Sequence, residues 1–193
     1  NGEFNSAIAD EMAAVDGVAQ VVQMRFQFLL VDNDQDFATA LDPSAVQALD
    51  LEVVDGTGEM RDGTVLVQQF YADEKGLAVG DTIDVQVPAG KQSWEVVGIV
   101  EDTPILFTGM VTTIPTFEAA GFEPADNALI VYEEDGASGV KDRLDEVVAE
   151  LPVVTVLDQK EFAAERRASI DNFLLIIFAL LGLALIIAVL GIV

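Results

Sequence analysis

The chain is 193 residues long, contains neither cysteine nor histidine, and carries 34 acidic against 9 basic residues, a formal charge of −25. Without those two residue types there is no disulfide framework, no zinc site of the common kinds and no Ser-His or Cys-His pair, so any catalysis would rest on carboxylates, Lys, Tyr, Ser or Thr. So acidic a surface repels phosphate backbones and anionic headgroups, which argues against nucleic acid as a partner and for a solvated exterior.

The opening NGEFNS reads in part as a cloning remnant and is given no structural weight. From Ser6 to Val15 the residues Ile8, Met12 and Val15 share one helical face, and Asp16-Gly17 stops that helix before VAQVVQMRFQFLLV, a long strand. Asp32-Asn33-Asp34-Gln35-Asp36 spaces carboxylates as the start of an EF-hand loop does. It then breaks the pattern, with Phe37 where the loop needs glycine and Pro43 where it needs a bidentate Glu, so the segment reads as a polar hairpin turn.

The middle, about Gly56 to Pro124, is mostly strands and turns. Gly56-Thr57-Gly58 is a turn without the GK[ST] of a phosphate loop. Thr82 to Val87 alternates as TIDVQV, Pro88 to Lys91 is a turn and SWEVVGIVE returns as the partner strand, with Gly98 marking a bulge or a close backbone contact. Trp94 on that strand reads as core or lobe-interface packing. A short helix is expected over Thr116 to Ala120, between Pro115 and Gly121. The neighbours Asp73/Glu74, Glu101/Asp102 and Glu133/Glu134 read as solvated surface, since strand alternation separates such pairs.

Near the C-terminus ALIVY (Ala128 to Tyr132) is a strand, Ser138 is positioned to cap a helix with Val140, Leu144, Val147, Val148 and Leu151 on one face, and VVTVL after Pro152 is a further strand. Helix-and-strand units at the two ends of the chain predict one lobe built from both. The expected fold is therefore α+β and two-lobed: 1–57 with 125–157 as a discontinuous α/β lobe, and 58–124 as a β-rich inserted lobe. Asp158 and Glu161 have capping-box spacing and open a stalk over 158–172, where Phe162 and Ile170 are apolar points among charges. From Phe173 to Val193 the sequence is uncharged and, at about 1.5 Å per residue, long enough for a bilayer core of roughly 30 Å. Residues 173–193 are thus expected to be a transmembrane helix in lipid, with Arg166 and Arg167 snorkelling to the interface. An end inside an apolar run suggests a fragment of a longer membrane protein.

At Gly76 to Asp102 the sequence GLAVGDTIDVQVPAGKQSWEVVGIVED resembles the periplasmic core domain of MacB/FtsX-type ABC-transporter permeases, through Gly76, Leu77, Val79, Gly80, Asp81, Thr82, Val96, Val97, Gly98 and Ile99. Gly17, Val18 and Val21, the Leu41-Asp42-Pro43 step and the stalk entering LLGLALIIAVLGIV extend the likeness over about Ser6 to Val193. The resemblance implies an extracytoplasmic domain between the first two membrane helices of a four-helix permease, with a porter-like α/β lobe and a β-rich lobe. It further implies a cytoplasmic ABC ATPase subunit, a second permease copy or paralogue in a dimer, and motion passed to an external substrate or partner in efflux, lipoprotein handling or cell-wall hydrolase control. No catalytic, cofactor-binding or metal-binding residue is carried over, and none is expected. The competing expectations are the ectodomain of a membrane-anchored sensor or adhesion protein, and a membrane-anchored hydrolase with a pocket of clustered carboxylates.

Overall fold

The computed structural model describes residues 4–151, 154–158, 161, 177, 178, 180 and 181. In chain order the elements are β1 (Phe4–Asn5), α1 (Ala7–Ala13), β2 (Val18–Val31), β3 (Asp34–Leu41), α2 (Ala45–Ala48), β4 (Val53–Gly56), β5 (Thr64–Gln68), α3 (Gln69–Lys75), β6 (Thr82–Val87), β7 (Gly90–Val100), β8 (Met110–Thr113), α4 (Ile114–Ala119), β9 (Ala125–Asp126), β10 (Ala128–Glu133) and α5 (Val140–Val148). The fold is mixed α and β, as expected. One sheet runs β10-β2-β3-β8-β5-β7-β4, with β6 bonded to both β2 and β7, while β1 and β9 form a separate small ladder.

The spine of this sheet is β2. Its first half pairs with β10, from Val18 to Met24, and its second half with β3, from Met24 to Val31. The long VAQVVQMRFQFLLV strand is therefore one element shared by the two ends of the chain and its middle. At its end Asp32 and Asn33 have φ of +53° and +71°. Positive φ at both central residues is the requirement of the two-residue turn that matches strand twist, and Asn and Asp tolerate it. The hairpin turn is therefore Asp32-Asn33 alone, with Val31 opposite Asp34, while Gln35 and Asp36 already lie in the β3 ladder.

Side chains alternate across β2, so each face joins a different core. On one face Val22 and Met24 pack with Leu41, Leu49, Leu66, Val100, Leu106 and Val111, under α2. On the other, Val21 belongs to a cluster of Ile8, Met12, Val140, Leu144 and Val148 that joins α1 to α5. Further along that same face, Leu29 and Val31 enter a third core of Val65, Val67, Tyr71, Ile83, Val85, Trp94, Val96, Met110 and Phe117. Trp94 is fully buried there, as its strand position suggested.

The 82–100 hairpin follows its expected lines: Ile83, Val85 and Val87 are buried and Thr82, Asp84 and Gln86 exposed. Both readings of Gly98 hold. Val65 pairs with Val96 and Leu66 with Gly98, which leaves Val97 as the extra residue of a bulge. A Cβ at Gly98 would also collide with the Thr57 carbonyl oxygen and press on Leu66.

Some expectations are corrected. Residues 154–158 form no strand; the chain turns after α5 through Val154 N–H to the Leu151 carbonyl at 3.0 Å, and Val154 and Val156 pack onto the α1–α5 core instead of joining a ladder. Helix α5 begins not on Ser138 but on Gly139, in the left-handed conformation at φ +67° and without a side-chain cap. The short helix α4 starts two residues earlier than expected because Thr113 caps it, its hydroxyl accepting the Thr116 N–H at 3.2 Å with Pro115 in the first turn. Helices α2 and α3 were not anticipated. Phe4 and Asn5, given no weight in the sequence, pair with Asp126 and Ala125.

Most of 158–172 and of 173–193 falls outside the described residues. Ile177, Phe178, Leu180 and Leu181 are helical and exposed, and among the described residues no helix is long and apolar enough to cross a membrane.

Gly98→Ala tests the backbone contact at the bulge: forcing a methyl against the Thr57 carbonyl is expected to cost about 1–3 kcal/mol. A urea midpoint that falls with an unchanged slope is the expected result, and an unchanged midpoint would show that the contact carries nothing.

Candidate functional site

Between the α1–α5 core and the Trp94 core, one face of β2 turns polar. Its successive residues there are Gln23, Arg25 and Gln27, between Val21 on one side and Leu29 on the other. Arg25 is 4% exposed and Asp126 is fully buried. The Arg25 Nε donates to Asp126 Oδ1 at 2.7 Å, Gln23 Nε2 donates to Asp126 Oδ2 at 3.0 Å, and Arg25 Nη1 reaches Glu118 Oε1 on α4 at 3.0 Å. Asn127 closes the same corner, its side-chain oxygen accepting the Phe26 N–H at 2.7 Å and its own N–H bonding the Met24 carbonyl at 3.0 Å.

The guanidinium supplies a planar fork of donors, so one Arg can hold a buried carboxylate and a surface one together. Because Asp126 lies on β9, this joint also fixes the β1–β9 ladder. Sequence reading did not single out Arg25. The usable signal was its position: a charge flanked by two glutamines on the inward alternation of an otherwise apolar strand.

A second polar anchor lies on the same sheet face, nearer the hairpin. Tyr71 on α3 donates its O–H to Asp36 Oδ2 at 2.7 Å. Burial first, and then that hydrogen bond and the Asp36 charge, push the phenol well above its ordinary pKa. Asp36 is thus committed to Tyr71 and to the Phe37 N–H rather than to a cation. Among the described residues no three acidic groups come together as a metal site.

The phrase at 76–102 has a local physical account. Gly76 ends α3 in the left-handed conformation at φ +67°, Leu77 packs on the Trp94 core, and the Asp81 carboxylate accepts the Ala78 N–H at 2.8 Å to close the turn. Gly80 N–H then bonds the Val96 carbonyl and Val96 N–H the Asp81 carbonyl, each at 2.8 Å, seating the turn on β7. These residues shape a helix end, a turn and a bulge; they present no reactive group.

The paired carboxylates Asp73/Glu74, Glu101/Asp102 and Glu133/Glu134 are all exposed, as read from the sequence. An open groove of about 620 Å³ lies between α2 and the 58–61 segment, lined by Pro43, Val46, Gln47, Leu51, Met60 and Arg61 among others. At the far end the chain leaves α5 through the expected capping box. Asp158 N–H donates to Glu161 Oε2 at 2.9 Å and Glu161 N–H to Asp158 Oδ1 at 2.8 Å. Lys141 on α5 lies 3.3 Å from Glu161 and 3.4 Å from Asp145, and the Glu161 contact is the larger of the two in raising the Lys141 pKa. Arg143, two residues on, donates to the Asp16 carbonyl at 2.8 and 3.1 Å and ties α5 to the turn after α1.

No protein-family model matches the chain, and no curated protein matches it. Solved structures do. The periplasmic region of MacB from Actinobacillus actinomycetemcomitans superposes with a TM-score of 0.62 at 13% identity, over 77% of this chain and 74% of that one. The extracellular domain of the noncanonic ABC-type transporter YknZ from Gram-positive bacteria gives 0.59 at 15%, over 75% and 84%. A domain of a permease protein from Porphyromonas gingivalis gives 0.52 at 18%, over 77% and 68%. The chain therefore has the fold of extracytoplasmic domains of MacB-type transporter permeases, in agreement with the resemblance carried by residues 76–102.

Asp126→Ala leaves the Arg25 guanidinium buried without its partner and is expected to cost about 3–5 kcal/mol, whereas Glu118→Gln, on a half-exposed carboxylate, costs less than about 1 kcal/mol. Chemical denaturation measures both; equal losses would contradict this placement of the clamp. Tyr71 gives a pH signature. Its pKa is raised on folding, so the folded state holds the proton more tightly, and stability is full below about pH 10 and falls as pH rises beyond it. Tyr71→Phe is expected to flatten that alkaline fall in an unfolding series from pH 8 to 11.

Proposed function

We propose that this chain is the extracytoplasmic domain of an FtsX/MacB-type ABC-transporter permease, anchored in the cell membrane by the helix expected over 173–193. In this reading the domain passes ATP-driven motion to an external substrate or partner. ATP hydrolysis belongs to a separate cytoplasmic subunit, the permease works beside a second copy or a paralogue, and the domain performs no chemistry of its own. The observation that carries the proposal is the fold, shared over three quarters of the chain with the extracytoplasmic domains of two transporters and with a domain of a permease.

Mechanics fit this role. In this reading 1–57 with 125–157 are one lobe and 58–124 the other, and the β2–β3 hairpin carries Leu29, Val31, Ala38 and Ala40 into the Trp94 core. Arg25 and Asp126 lock the joint. The Asp158–Glu161 capping box, from which the stalk expected over 158–172 would start, is tied to α5 through Lys141, so in this reading a displacement of that stalk is delivered first to the α1–α5 core and then along β2.

Purification of the full-length protein from its own membranes tests the proposal. A nucleotide-binding subunit is expected to copurify, with ATP hydrolysis that changes when the stalk is broken by Ile170→Pro. A preparation free of any ATPase would overturn the permease reading and favour a sensor or adhesion ectodomain.

A further inference from the structure

The face of β2 that buries Val22 and Met24 does not end with that core. It continues through Phe26, half-buried, to Phe28 and Leu30, which are 63% and 36% exposed. Phe37 on β3 stands opposite Phe28, with ring centroids 4.4 Å apart, and Phe107 from the 101–109 loop meets Phe26 edge to face at 5.5 Å. Phe107 is 51% exposed and its neighbour Ile105 39%. Exposed aromatic and aliphatic side chains gathered in this way mark interaction sites, because a soluble surface gains nothing by keeping them in water.

The loop that completes the patch is held firmly. Gln68, 2% exposed, donates from Nε2 to the Leu106 and Thr108 carbonyls at 3.1 and 2.7 Å and accepts the Thr103 N–H at 2.7 Å. The Thr108 and Thr39 hydroxyls share a hydrogen bond of 2.7 Å, fastening the loop to β3. Phe107 is thereby presented on a preorganised support, which lowers the ordering cost of binding.

Charge selects the occupant. From Phe26 to Leu41 and from Glu101 to Thr113 the sequence has no Lys or Arg, and Asp32, Asp34, Glu101 and Asp102 are exposed at the margins of these segments. A second copy would bring another −25 against this one, and an anionic lipid surface would be repelled likewise. We propose that the Phe26–Phe28–Phe37–Phe107 face is a docking surface for a partner segment that is apolar on one side and basic on its flanks. This inference stands on the surface itself and holds whether or not the chain works beside an ATPase.

The test uses the full chain in phosphatidylcholine nanodiscs and a benzophenone-bearing amphipathic Leu/Lys peptide, with photo-crosslinks mapped by mass spectrometry and empty nanodiscs as background. Crosslinks are expected at 26–37 and 103–109, at least tenfold fewer with the Leu/Glu twin of the peptide, and at least tenfold fewer with Phe28→Ser plus Phe107→Ser. Phe28→Ser alone, at a highly exposed position, serves if the double variant is unstable. Crosslinks spread over the acidic surface, or unaffected by these substitutions, overturn the proposal. So does capture of a second chain or of lipid by benzoylphenylalanine placed at Leu30.

Discussion

Two apolar cores share one face of β2, and between them the chain buries a charge. A guanidinium removed from water is costly unless an opposite charge and further hydrogen-bond partners replace its hydration, and Asp126 on β9 and Glu118 on α4 do so, while Gln23 donates to the other oxygen of Asp126. The pair fixes where β9 lies, and so where the N-terminal β1 can pair and where β10 starts. It also ties α4, which packs under the middle of the chain, to a strand that belongs to its ends. A purely apolar joint would tolerate sliding of one core over the other; a directional, buried fork tolerates very little.

The sequence was legible where a single periodicity ruled. The alternation TIDVQV predicted which side chains of β6 are buried, the turn residues Asp32 and Asn33 predicted the hairpin, and Asp158 with Glu161 predicted the capping box. It was obscure where period and punctuation disagree. TVLVQQFYADEK passes from strand to helix at Gln68 with no glycine or proline, so α3 was hidden in an apolar run. VVTVL has strand composition, but Val154 and Val156 pack against the core between two helices and join no ladder. Arg25 was invisible for a different reason: its partner lies 101 residues away, and only the glutamines flanking it hinted at a polar break.

The charge balance bears on function through the same physics. With so few cations, most carboxylates face water unpaired, and the long-range field of the domain is strongly negative. Such a field turns away nucleic acid, anionic lipid and other acidic chains and draws in basic ones. The fold resembles extracytoplasmic domains of transporter permeases.

The central claim is that the two end units and the middle form one mechanical body through β2 and its clamp. Amide hydrogen exchange on the full chain in nanodiscs tests it most directly, because opening free energies distinguish one cooperative unit from two. The account predicts that amides of β10 and of the first half of β2 open with the same free energy as those of β5 and β7. A clearly lower opening energy for β10 and the α1–α5 core, with β5 and β7 still protected, would mean two independently opening units and would contradict it.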